Sequence, residues 1–152
     1  MITKLLEKEG HLLRDVSCAD WKELVDVIAV PLLAEDVVTP EFVASAKEAA
    51  ERFRGYVVLV EDIAFFHGRP ESGVREIAMT LALLKEPVYL FEKRIKAAFL
   101  FAAVDNKSHA NLLKALAQIM NDDVCLELLR DGTDPEAILK KCKEVEKANE
   151  IS

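Results

Sequence analysis

Cysteine is scarce in this 152-residue sequence: Cys18, Cys125 and Cys142 are odd in number, far apart and form no CxxC pair. That excludes a disulfide framework and a zinc knuckle, and it points to a reducing compartment. Glycine and proline are equally sparse at five each, so the chain is neither low-complexity nor collagen-like. Long apolar runs are missing too. The longest, such as residues 97–104, reach about eight residues against roughly twenty for a membrane span. Lys4, Glu7, Lys8 and Glu9 interrupt the stretch where a secretory signal would be apolar. Basic residues do not dominate: 20 Lys and Arg against 27 Asp and Glu give a net charge of −7 and a pI near 5.1. Such a surface argues against wrapping nucleic acid or sitting on anionic lipid. The expectation is a soluble, cytoplasmic protein that meets basic partners.

Hydrophobic residues make up 51% of the chain, enough for a real core in a single domain spanning residues 1–152, and compatible with a homodimer. Ser17-Cys18-Ala19-Asp20 predicts a helix start, followed by Trp21, Leu24, Val25, Ile28 and Leu32 at helical spacing. Pro31 should kink or stop that helix. Thr39-Pro40-Glu41 opens a second helix, whose stripe runs from Phe42 to Phe53 before Gly55 ends it. Residues 56–60, 77–84 and 97–104 read as buried strands, and residues 85–90 as a turn and a short edge strand. Helices return at Asp105-Asn106-Lys107-Ser108, at residues 124–129 and after Thr133-Asp134-Pro135-Glu136. Helices on either side of a block of strands predict an α/β fold, a three-layer α/β/α sandwich around a mixed β-sheet.

Only three histidines are present. His67 ends the apolar run Ile63-Ala64-Phe65-Phe66 and opens the loop Gly68-Arg69-Pro70-Glu71-Ser72-Gly73. An imidazole at a strand-to-loop junction beside glycine and arginine suits an anion-handling nucleophile. It equally suits a hydrogen-bonded histidine next to an unrelated surface arginine. His109 falls in the first turn of the helix after residues 97–104, on the face of Leu112 and Leu116. Ligands collect at the carboxyl ends of strands, and a helix N-terminus there attracts phosphate while disfavouring imidazolium. The alternative is a core-edge histidine bonded to a backbone carbonyl. At pH 7 an unperturbed histidine is about three-quarters neutral and already nucleophilic, so two imidazoles and an arginine could carry a phosphoryl group without metal or cofactor. His11, in a different block, reads as structural, as does Cys125 in its apolar pattern.

The run Ile63-Ala64-Phe65-Phe66-His67-Gly68-Arg69-Pro70-Glu71-Ser72-Gly73-Val74 resembles the active-site signature of sugar phosphotransferase system IIA domains of the mannitol/fructose class, approximately Ile-Ala-x-Pro-His-Ala/Gly-Arg-Pro-Glu-x-Gly-Val. Asp105-Asn106-Lys107-Ser108-His109 with Leu112-Leu113 resembles the family's second block. The resemblance extends to the Val38-Thr39-Pro40 helix start and the strand after Gly55, and the Arg-Pro-Glu extension is most similar to the ascorbate-type branch. Phe66 departs from the family's proline and Asp62 from its glycine, which changes how the chain bends before His67.

The resemblance implies that His67 takes a phosphoryl group from phospho-HPr and gives it to a IIB cysteine, with His109 and Arg69 assisting. It also implies a separate membrane IIC component that moves an ascorbate-, pentitol- or galactitol-like sugar. Arg52 or Arg54 could match an assisting arginine near the end of the second helix. With no IIB or IIC sequence present, a freestanding subunit is expected. Two rival readings are a phosphorylation-dependent regulatory binding protein of the same fold and a metal hydrolase built on His67, His109 and Asp105 or Glu71.

Overall fold

A computed structural model describes residues 1–150, Arg54 and Gly55 by their backbone alone. Eleven elements are named in it: α1 (Ile2–Leu6), β1 (Leu12–Val16), α2 (Trp21–Ala34), α3 (Pro40–Arg52), α4 (Arg54–Val57), β2 (Asp62–His67), β3 (Ala78–Leu90), β4 (Lys93–Ala102), α5 (Asn106–Met120), α6 (Asp123–Asp131) and α7 (Pro135–Glu150). The four strands form one mixed sheet in the order β1-β3-β4-β2. The antiparallel hairpin β3–β4 lies at its centre, with β1 parallel to β3 and β2 parallel to β4 at the edges.

Alternation along the strands divides the core in two. Ala64 and Phe66 face one way, into a cluster with Trp21, Leu24, Ile28, Phe42 and Ala46 from α2 and α3. Ile63 and Phe65 face the other, into a cluster with Ile2, Leu112, Leu116, Ile119, Leu129 and Ile138 from α1, α5, α6 and α7. Strands covered on both faces are apolar nearly throughout, as in most of β4 and in the Ala78–Leu84 half of β3, whose one buried polar side chain, Thr80, donates to the Ile28 carbonyl. Phe42, Phe66, Phe99 and Phe101 are fully buried, each stabilising the fold by roughly 1.5–3 kcal/mol. The fold is the three-layer α/β/α arrangement predicted from the sequence.

Several local expectations are corrected. Residues 56–60 form no sheet strand. α4 ends at Val57, and only Val60 bridges to Ile63 across the turn. Val57 and Val58 are buried while Tyr56 and Leu59 are about 70% exposed, so the β-branched run covers one flank of β2 instead of adding a strand. α3 ends at Arg52 with Phe53 as its C-cap, before Gly55. Pro31 does not stop α2, which continues to Ala34 at the cost of one helical hydrogen bond. Residues 85–90 continue β3 as one long hairpin arm. Pro87 falls where the register shifts between Leu83 and Val88, and Lys96 Nζ donates to the carbonyls of Leu84 (2.5 Å) and Lys85 (3.1 Å).

The predicted cap is present at Asp105, which forms a capping box with Ser108, whereas at α2 the cap is Asp20 itself, accepting from Glu23 N at 2.9 Å, and not a box opened by Ser17. Among the described residues no helix is long and apolar enough to cross a membrane.

Candidate functional site

His67 is the last residue of β2, and register sets Phe101 of β4 directly beside it. Because His67 follows Phe65 at the period of two, its ring projects toward the α5 side of the sheet. β4 then leads through Ala103 and Val104 to Asp105, which caps α5 by accepting from Ser108 N at 2.8 Å. One turn into that helix stands His109. Both imidazoles therefore meet at the carboxyl ends of the parallel pair β2/β4, where the sequence pattern placed them.

The rings form a cluster with Phe101. His67 stacks on Phe101 at 5.0 Å between centroids and 21° between planes, and His109 lies 5.6 Å from Phe101. The two imidazoles are 5.2 Å apart and tilted by 54°. The Nδ1 atom of His67 is 3.0 Å from the carbonyl oxygen of Phe65. A carbonyl only accepts, so Nδ1 carries the proton and Nε2 of the neutral ring keeps its lone pair. Burial lowers the His67 pKa; the Phe65 carbonyl opposes that and the neighbouring His109 adds to it. Burial likewise lowers the His109 pKa. Both rings are held toward the neutral form.

Arg69 is placed less tightly. Its guanidinium lies 3.8 Å from Glu48 and 3.9 Å from Glu71 and is 57% exposed. Arg52 rests over the ring of Phe53, 5.6 Å away, and is exposed; the side chain of Arg54 lies outside the described residues. His11 is buried at the opposite edge of the sheet, its ring between the Met79 carbonyl (2.9 Å) and the Glu35 carboxylate. Among the described residues, no group of three or more His, Cys, Asp or Glu side chains could hold a metal ion.

Both departures from the resembled signature have local accounts. Asp62 has φ +73°, a left-handed conformation in which glycine is unstrained. Here the aspartate is kept by a bidentate pair with Arg94 (2.6 and 2.9 Å), which holds its carboxyl below the usual range against the opposing effect of burial. Phe66 keeps β2 regular. It is fully buried on the face opposite His67 and stacks on Trp21 at 6.3 Å.

In the sequence Phe101 is only one member of a buried run; the pairing register that puts it under His67 is a long-range property without a local signal. The same holds for an apolar groove of about 310 Å³ beside His67, lined by Tyr56, Leu59, Phe65, Leu113 and Met120 among others.

The chain is similar to several known proteins. The family model described as phosphoenolpyruvate-dependent sugar phosphotransferase system, EIIA 2, matches residues 4–145. The mannitol-specific cryptic phosphotransferase enzyme IIA component of Escherichia coli (strain K12) is 30% identical over 115 residues, 74% of this chain and 78% of that protein. The ascorbate-specific PTS system EIIA component of Salmonella typhimurium (strain LT2) is 29% identical over 114 residues, 72% of this chain and 74% of that one. A crystal structure assigned as a PTS IIA (PtxA) from Streptococcus mutans superposes with a TM-score of 0.84 at 26% identity, covering 95% of this chain and 94% of that one.

Proposed function

This chain belongs to the EIIA 2 family of the phosphoenolpyruvate-dependent sugar phosphotransferase system, and we propose that it carries the phosphoryl group on Nε2 of His67. One observation carries the assignment of the atom: the Phe65 carbonyl occupies the Nδ1 proton and leaves the Nε2 lone pair on the neutral ring. The donor is the phosphohistidine of HPr. The Nε2–P bond forms as the donor's N–P bond breaks, and the donor imidazole keeps the electron pair. In the second step the Nε2–P bond breaks as a IIB cysteine thiolate forms an S–P bond. A membrane IIC component then uses that group for uptake of an ascorbate-, pentitol- or galactitol-like sugar.

Positioning and electrostatics supply most of the catalysis in such a transfer. His109, held toward its neutral form beside His67, donates one hydrogen bond to a phosphoryl oxygen. Arg69 leaves Glu48 and Glu71 for the phosphoryl group. Exposed pairs of that length are worth about 0–1 kcal/mol, so a group of nearly two negative charges competes well for the guanidinium. The exposed apolar surface of Tyr56, Leu59 and Leu113 beside His67 supports a protein as donor and acceptor.

The test is incubation with phosphoenolpyruvate, enzyme I and HPr, followed by intact mass. One acid-labile, base-stable phosphoryl group is expected on the wild type and none on His67→Ala. A variant that loads normally would overturn the assignment.

A further inference from the structure

The loop that carries Arg69 is seated on α3 at two points, each a close approach between a glycine and a hydroxyl side chain. At the first, a Cβ on Gly68 would lie 2.2 Å from Oγ of Ser45 and 2.8 Å from the carbonyl oxygen of Phe42, so no larger residue fits without displacement. The Ser45 hydroxyl is buried and fully directed. It donates to the Phe42 carbonyl at 2.8 Å and accepts the backbone N–H of Arg69 at 3.2 Å. At the second, Gly73 has φ +92°, and a Cβ there would lie 2.0 Å from Oγ1 of Thr39. Thr39 does not cap α3 with its side chain; its hydroxyl donates to the Ser72 carbonyl at 3.1 Å and its N–H to the Gly73 carbonyl at 3.0 Å. The loop is thus pinned at both ends to one rigid helix.

We infer that Ser45 is a positioning residue for phosphoryl transfer, acting through the backbone of Gly68 and Arg69 and never touching the phosphoryl group. The inference rests on the phosphocarrier reading above. His67 is fixed from upstream by the Phe65 carbonyl and from below by Phe101. Its downstream side is fixed where the next two residues meet Ser45. Without the Ser45 oxygen, the Arg69 N–H loses this acceptor and the end of the loop next to His67 loosens from α3, while Thr39 still holds the Gly73 end. The reacting imidazole and the Arg69 side chain then lose their shared alignment. A misplacement of about 1 Å can cost on the order of 100-fold in rate, and the partial loosening here is expected to cost roughly 10-fold.

The experiment measures loading from phospho-HPr at varied donor concentration in Ser45→Ala, Gly68→Ala and the double variant. Ser45→Ala should lower the maximal rate about 10-fold with an unchanged KM for the donor. Thr80→Val controls for lost stability alone, because it removes another buried hydroxyl-to-carbonyl hydrogen bond, to Ile28, on the central strand β3. It should leave the rate unchanged. Gly68→Ala should cost more in the wild-type background than in the Ser45→Ala background, where the closest obstacle is gone and the Phe42 carbonyl (2.8 Å) and ring (3.0 Å) remain. A Ser45→Ala variant with the wild-type maximal rate, or a Gly68→Ala cost identical in both backgrounds, overturns the inference. Should the wild type itself fail to load, the phosphocarrier reading falls, and the seat is judged by NMR titration of the His67 ring. Movement toward the ordinary histidine value in Ser45→Ala supports the seat; an identical titration overturns it.

Discussion

The imidazoles of His67 and His109 lie 5.2 Å apart over the ring of Phe101, although 42 positions separate them in the chain. His67 is fixed by its carbonyl partner and its strand, whereas His109 is fixed by a helix start that Asp105 and Ser108 cap reciprocally. The two rings are therefore brought together by separate elements, a strand end and a capped helix start.

Removing the second imidazole separates their roles. His109→Ala should retain the fold and donor docking, because its ring is only partly buried at the rim of the core. Loss of one preorganised donor costs on the order of 10²-fold in the transfer step. Rapid-quench loading with intact mass measures it, and a rate equal to wild type would make His109 structural.

Burial pushes both histidines in the same direction, and the sign follows. With the folded pKa lowered, the charged ring is disfavoured in the native state. The neutral, nucleophilic form of His67 therefore persists as the pH falls past the ordinary value of 6.5. The same linkage gives native stability that is present above 6.5 and lost as the pH drops through the lowered values. Imidazole NMR titration should place the His67 midpoint below 6.5. A midpoint at or above it would mean that water reaches the ring freely.

Much of this site is legible in the sequence, and what is not has a physical reason. His67 and His109 can be placed because each sits at a boundary with local chemistry: an apolar run broken by Gly68, and a helix start written as Asp-Asn-Lys-Ser. The buried halves of β3 and β4 announce themselves as strands through nearly continuous apolar residues, whereas their union into one long hairpin does not. Residues 56–60 mislead because a β-branched run records burial of Val57 and Val58 but not whether a strand position is open beside β2. β1 escapes notice because it is a short edge strand with exposed Arg14 and Asp15, and its pairing with β3 joins Leu12 to the distant Leu81. The seat of Gly68 on Ser45 likewise depends on how α3 packs, which no local pattern encodes.

At Asp62 two effects oppose each other. Glycine would relieve the left-handed backbone but lose the Arg94 pair; alanine would lose the pair and keep the strain. Asp62→Ala should therefore be less stable than Asp62→Gly by roughly 1 kcal/mol. Urea unfolding compares the two, and equal midpoints would show that φ at this position relaxes freely.

Glu146 of α7 ties the start of the chain to the helical layer that covers the site. Its carboxylate accepts from Ile2 N at 2.8 Å, from Thr3 N at 2.7 Å and from the Thr3 hydroxyl at 2.6 Å, and it also meets the Met1 amino group at 2.8 Å. Burial alone would raise its pKa, but these donors prevail and hold it below the ordinary 4.5. A depressed carboxyl contributes stability that is complete above its unfolded value and is lost as the pH falls through the folded one. Glu146→Gln keeps the shape but removes the charge, and hydrogen bonds to a charged group are worth about 1.5–3 kcal/mol. The variant should lose about that much at pH 7, with the gap closing as the pH drops below 4.5. Thermal unfolding across that range checks it; a gap that persists undiminished in acid would mean that packing, not charge, joins α1 to α7.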